Sequence, residues 1–267
     1  MFAFVRQPLV LALATIAGLT GYAAKPAVAD SAVYERVLES SVFIYNGVEK
    51  TRGSGFVVDA DRQLIVTNYH VVGEAKSVAI FFAAYDGEGE LVTDKDVYYD
   101  NFKMLCDQQM ACVAKVVGVW PEKDLALVEL DNCPVDVTAL PLADQGAKPG
   151  QTVHSVGSPS ASDALWVYSP GTVRQVFNIK MNYEGGQRVD AKVLQTTSPI
   201  NPGDSGGPIV NDRGELVAVN CASEPGARLI SFGIEVDELR SFLNKYLGTK
   251  GDQPVQPEPG YLVGWPQ

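Results

Sequence analysis

An all-β fold of the barrel or sandwich type is predicted by three features of this chain. Short apolar or alternating runs recur along most of its length. Turn signals rich in Gly, Pro, Asp and Asn separate them. Long helical patterns of the kind that alternate with strands in βαβ units do not intervene.

Residues 1–29 read as a secretory signal. Arg6 supplies the positive start, Leu9 to Leu19 an apolar stretch too short to span a bilayer comfortably, and Ala27-Val28-Ala29 a small-x-small cleavage site before Asp30. Residues 34–40 suit a short leading helix. Strands are expected at 42–45, 55–58, 64–67 and 78–83, then at 113–119, 125–130 and 152–156, and finally at 166–177, 192–196, 207–210, 216–219 and 229–234. About a dozen strands suffice for two small barrels. Between them, residues 84–110 carry Asp86, Glu88, Glu90, Asp94, Asp96 and Asp100. Their spacing fits no calcium loop, so this segment is expected to be a solvated acidic loop. Val236, Leu239, Leu243 and Leu247 recur near helical spacing with Gly248 as a stop. Residues 248–267 are rich in Pro and Gly without periodicity and read as a tail.

The formal charge is −11; loss of the first 29 residues removes Arg6 and Lys25 and no acid, giving −13. Such an acidic chain argues against nucleic acid or anionic lipid as a main partner, and no later segment is long and apolar enough to span a bilayer. Four cysteines in an exported chain permit disulfides, and three full pairings are open. If the strands at 112–120 and 125–130 form a hairpin, Cys133 returns near Cys112. Cys106 lies just upstream and competes for either partner, and Cys221 is expected to be the odd thiol.

Three segments carry chemistry. Asn201-Pro202-Gly203-Asp204-Ser205-Gly206-Gly207-Pro208 places a serine in a glycine-rich turn, which can expose a hydroxyl while aiming backbone N–H groups at one point. Val66-Thr67-Asn68-Tyr69-His70-Val71-Val72 sets a histidine just after an apolar strand. Lys123-Asp124-Leu125-Ala126-Leu127-Val128 opens another strand with an aspartate. A serine hydroxyl needs a base that operates near neutral pH, which histidine supplies, and the histidine needs a carboxylate to fix its tautomer. The other histidine, His154, lies in an ordinary strand pattern and is expected to pack there.

These three segments, in the order His, Asp, Ser, resemble the catalytic motifs of trypsin-like (chymotrypsin-fold) serine proteases of the HtrA branch. Gly53-Ser54-Gly55-Phe56-Val57-Val58, Leu194-Gln195-Thr196-Thr197 and Gly214-Glu215-Leu216-Val217-Ala218-Val219-Asn220 add to the likeness, which covers residues 33–247. The resemblance implies two six-stranded antiparallel β-barrels with a closing helix. It divides the chain into a signal (1–29), a protease domain (30–247) with its site between the barrels, and a tail (248–267) far too short for a PDZ domain.

It also implies a secreted or periplasmic endopeptidase acting on polypeptides without cofactor or metal. His70, Asp124 and Ser205 would be catalytic, and Gly203 and Ser205 would supply the oxyanion-hole N–H groups. Pro199, Ile200, Asn220, Cys221, Ala222 and Ser223 would line the first specificity pocket. That set holds no acid, so small or aliphatic side chains are expected before the scissile bond. Asp204 stands where the HtrA pattern has asparagine, and is expected to be exposed or paired with a base. The rival readings are a binding protein on a protease scaffold and a latent processing protease.

Overall fold

The computed structural model describes residues 30–249 apart from 132–136, 161, 163, 184–185 and 224–228. The expected signal lies outside the described residues, as do Cys133 and residues 250–267 of the expected tail; residues 248–249 instead continue the closing helix, which runs past the stop expected at Gly248. A helix α1 (Asp30–Ser40) leads into β1 (Ser41–Asn46), β2 (Thr51–Asp59) and β3 (Leu64–Thr67). A one-turn helix α2 (Tyr69–Val72) precedes β4 (Ser77–Phe82). Two short helices, α3 (Lys95–Asp100) and α4 (Phe102–Asp107), come before β5 (Ala111–Trp120). A 3-10 turn (Pro121–Lys123) joins β5 to β6 (Leu125–Leu130). The second half contains β7 (Thr152–Gly157), β8 (Val167–Asn182), β9 (Arg188–Thr196), β10 (Pro208–Val210), β11 (Leu216–Ser223) and β12 (Ser231–Glu235), and α5 (Val236–Thr249) closes it.

The strands form two closed six-stranded barrels, in the orders β1-β2-β3-β6-β5-β4 and β10-β11-β12-β9-β8-β7. All their pairings are antiparallel. Closure removes exposed sheet edges and lets each strand bury one face in its own barrel. In the first barrel Val42, Ile44, Val57, Ile65, Ile80, Ala126 and Val128 form one such cluster. In the second, Val153, Leu194, Ile209 and Ala218 do the same. Amphipathic α1 buries Val33 and Val37, and α5 buries Leu239 and Phe242, in the core that spans the rest of the molecule.

The segment after β4 differs from the solvated loop expected of it. Asp94 caps α3 by accepting from Asp96 N at 2.9 Å. Behind the acids lie Tyr98 and Leu105, both 1 % exposed. Phe81 meets Tyr98, Tyr99 and Phe102 edge-on. The Tyr98 hydroxyl accepts from Ala84 N and Trp166 Nε1, both at 3.0 Å, and donates to Val92 O at 2.9 Å. The acids are therefore the outer face of a folded flap whose aromatic face covers barrel one. Counting charges hid the aromatics that share the segment. Among the described residues, no group of three or more His, Cys, Asp or Glu side chains could hold a metal ion.

Cys112 is in a disulfide, whereas Cys106 and Cys221 are not. Among the described residues no helix is long and apolar enough to cross a membrane.

Burial raises the Tyr98 hydroxyl to about 12, which keeps it a donor. Tyr98→Phe strips one buried donor–acceptor group and leaves its partners unmet. It is expected to cost about 1–3 kcal/mol of stability, read as a lower midpoint in urea unfolding; an unchanged midpoint would show that the flap does not depend on this contact.

Candidate active site

Pairing of β3 with β6 brings the two halves of an acid–base pair together. Thr67 lies opposite Ala126 in this antiparallel pair, so the end of β3 and the start of β6 share one rim of the barrel. His70 follows that end in α2, and Asp124 precedes that start. Asp124 adopts the left-handed region (φ 51°, ψ 42°), closing the 3-10 turn with its N–H on Pro121 O at 3.1 Å. This is a sparsely populated conformation that Asp tolerates better than most residues and that the surroundings must hold. Asn68 holds it, donating from Nδ2 to Asp124 O at 2.8 Å.

The Asp124 carboxylate is fully buried. Its Oδ1 accepts from His70 N at 3.0 Å and Gln187 Nε2 at 3.2 Å. Its Oδ2 lies 2.8 Å from His70 Nδ1 and accepts from the Tyr183 hydroxyl at 3.1 Å. The two oxygens thus meet four donors, about the number of lone-pair sites a carboxylate offers. With the proton on Nδ1, the His70 Nε2 lone pair is the one available as a base.

Ser205 lies in the turn between β9 and β10 and is held by barrel one. Ser54 N, on β2, donates to Ser205 O at 2.8 Å, and Ser54 Oγ donates to Gly203 O at 2.8 Å. Ser54 Oγ also accepts from Ser158 N at 3.1 Å, and Thr67 Oγ1 donates to Ser54 O at 2.7 Å. This approach needs small residues: a Cβ on Gly53 would collide with the Val71 methyls, and one on Gly206 (φ +85°) with Ser54 O and Thr67 Oγ1. Gly203 has φ +99°, and a Cβ there would strike Ser158 O. Ser160 N holds Pro202 O at 2.6 Å, so this carbonyl is directed at Ser160 and its peptide N–H, on Gly203, faces the other way. The Ser205 hydroxyl donates weakly to Cys221 O at 3.4 Å. Among the described residues, no hydrogen bond joins it to His70 Nε2.

The other expected site residues are distributed unevenly. Pro199 is exposed at the rim and Ile200 is 7 % exposed. The Asn220 side chain turns inward and donates to Ser155 Oγ at 2.6 Å, while its carbonyl accepts from Gly206 N at 2.8 Å. Cys221 is buried, its Sγ 3.3 Å from Phe232 O. Ala222 and Ser223 continue β11. His154 is buried and takes no part in this group; it contacts Tyr168 OH at 2.6 Å and Asp212 Oδ1 at 2.9 Å.

Asp204 departs from both expectations. It is 4 % exposed, accepts from Asn201 N at 2.9 Å, and has no ion-pair partner among the described residues. It packs against Gly157, where a Cβ would meet its Oδ1. Burial, opposed by the Asn201 N–H, raises its carboxyl from the ordinary 3.8 to about 7.

Sequence reasoning missed Tyr183 and Gln187, since the β8–β9 connection bears no motif and only the pairing of the barrels brings it to Asp124. It also passed over the bonding of Ser54 and Asn68, although both lie inside quoted motifs.

A double barrel with a buried carboxylate–imidazole pair on one half and a serine turn on the other defines the chymotrypsin-like class of fold. The trypsin-like peptidase domain family matches residues 53–219, and the chain belongs to that family. It is 28 % identical over 203 residues to the serine protease Do-like HtrB of Bacillus subtilis, covering 74 % of this chain and 39 % of that protein. It is 31 % identical over 171 residues to the periplasmic serine endoprotease DegP of Escherichia coli, covering 64 % and 30 %. The chain thus spans well under half the length of these relatives. In fold it is similar to the active form of the Rv3671c protease of M. tuberculosis, with a TM-score of 0.63, 21 % identity and coverage of 91 % and 97 %.

Folding takes up a proton at Asp204, because its folded value lies above its unfolded one. The associated stability is complete below the unfolded value of 3.8 and is lost as pH rises through about 7. Asp204→Asn keeps an acceptor for Asn201 but cannot ionise. The variant is expected to gain on the parent by about 4 kcal/mol in total between about pH 4 and pH 7. Urea unfolding across that range measures the difference; a constant difference would refute the assignment.

Proposed function

We propose that this chain is an exported serine endopeptidase that hydrolyses peptide bonds through an acyl-enzyme on Ser205. The observation that carries the reading is the convergence of the buried Asp124–His70 pair and the Ser205 turn across the barrel seam. His70 Nε2 takes the Ser205 proton as Oγ attacks the substrate carbonyl, and returns it to the leaving amine. Water then attacks the acyl carbon with His70 again as base. Asp124 holds the imidazole and stabilises its charged form. The N–H groups of Gly203 and Ser205 receive the developing oxyanion, with Pro202 O kept aside by Ser160 N.

The domain reading that accompanies this is a signal at 1–29, a protease unit at 30–247 and a tail at 248–267. Export to the periplasm or the exterior fits the signal-like start, and damaged or immature exported polypeptides are the fitting substrates. Pro199, Ile200, Asn220, Cys221, Ala222 and Ser223 offer no acid to a basic side chain, which supports cleavage after small or aliphatic residues.

Ser205 Oγ contacts Cys221 O at 3.4 Å, and a serine–histidine bond of this kind often forms fully only when substrate binds.

A fluorophosphonate probe is expected to label the mature protein at Ser205 and to leave Ser205→Ala unlabelled. Asp124→Asn should slow labelling by about 10⁴-fold through loss of the correct tautomer. Labelling that persists in Ser205→Ala would reject the assignment. In a peptide library, cleavage is expected after Ala, Val or Leu; a preference for Arg or Lys would reject the pocket reading.

A further inference from the structure

We infer that Tyr183 and Gln187, on the β8–β9 connection of the second barrel, are positioning residues that complete the hydrogen-bond shell of Asp124 and lower the pH at which the His70–Asp124 pair becomes a working base. The inference rests on the reading of His70 and Asp124 as an acid–base pair.

The geometry is a clasp across the seam. β8 runs to Asn182 and β9 starts at Arg188, with Asn182 paired to Arg188. The connection between them is closed by Tyr183 N on Gln187 O at 2.9 Å and by Gly186 N on Tyr183 O at 3.1 Å. From it, Tyr183 reaches Asp124 Oδ2 at 3.1 Å. Gln187 Nε2 reaches Asp124 Oδ1 at 3.2 Å and Pro121 O at 3.1 Å, gripping both the carboxylate and the turn that presents it. The Tyr183 ring also stands edge-on to the His70 imidazole, with centroids 5.3 Å apart and planes at 83°. Among the described residues, barrel one supplies only His70 N and His70 Nδ1 to this buried carboxylate. The second barrel supplies the other two donors.

Each donor that stabilises the carboxylate as an anion lowers its basicity and weakens its hold on a proton placed on the imidazole. The pair then gives up that proton, and frees Nε2, at a lower pH. Burial and the nearby Cys221 and Asp124 raise the Tyr183 hydroxyl well above its ordinary range, so it remains a donor at all pH values of interest. Among the described residues, the titratable groups facing this carboxylate are His70 from α2, Tyr183 from the β8–β9 connection and, beyond the Tyr183 hydroxyl, the Cys221 thiol of β11. Lys123, next along the chain, is held by Glu238 at 2.9 Å.

The test uses the mature protein and Tyr183→Phe, which deletes one oxygen and keeps the ring. Two readouts are taken against pH: the rate of fluorophosphonate labelling and the ¹⁵N chemical shifts of the histidine rings. The chain has only two histidines, so His154 serves as an internal control. In Tyr183→Phe the acidic limb of the labelling profile and the His70 titration are expected to move up together by about half to one pH unit. At a pH below both midpoints this is a loss of about three- to tenfold. The midpoint is diagnostic, whatever happens to the plateau.

A uniform loss of rate with an unmoved midpoint would overturn the inference, because it would make the connection a brace only. A midpoint shifted downward would also overturn it. If Tyr183→Phe does not fold, Gln187→Ala removes the other donor and is read the same way. Failure of the endopeptidase reading is separable: if the parent does not label, the ring titration alone still shows whether Tyr183 acts on the pair.

Discussion

The buried carboxylate of Asp124 is the constraint on which this structure turns. A charge fully removed from water is tolerable only when its lone pairs meet donors. Here the donors come from three places: the backbone and side chain of His70, the Tyr183 hydroxyl and the Gln187 amide. Two belong to each barrel. The need to satisfy one anion therefore couples the register of β3 against β6 to the placement of the β8–β9 connection. The left-handed backbone at Asp124 adds a second demand, met by Asn68 on its carbonyl.

The serine turn is built on complementary terms. Its own strands are short, since β10 has three residues, and it depends on the facing barrel for support. Ser54 does most of this, donating from its backbone to Ser205 O and from its hydroxyl to Gly203 O while receiving Ser158 N. The glycines at 53 and 206 are needed because a Cβ would strike the Val71 methyls at the first and Ser54 O and Thr67 Oγ1 at the second. The same close packing excludes water from Asp204 and leaves its carboxyl easily protonated. A titrating group thus sits one residue from the hydroxyl on which the proposed chemistry depends.

Much of this was legible from sequence because it is local. Alternation and turn residues located all twelve strands within a few positions, with 64–67 and 125–130 placed to the residue as β3 and β6. The pattern Val236, Leu239 and Leu243 located α5. His70, Asp124 and Ser205 stand out in sequence through short local motifs and their family resemblance. Residues 84–110 were misread for a related reason. The acids there are conspicuous, whereas Tyr98 and Leu105 acquire meaning only against Phe81 and Trp166, which lie elsewhere in the chain.

The sequence by itself therefore determined the all-β class, the order of the strands and the residue types from which a site could be made. Those depend on periodicity, turn chemistry and short motifs, which are properties of neighbouring residues. Only the tertiary structure decided which side chains complete the site. Tyr183, Gln187 and Ser54 are separated from their partners by 59, 63 and 149 positions, and no local pattern records such a pairing. It also decided the state of Asp204, because burial is set by how the barrels close over a residue and not by the letters beside it.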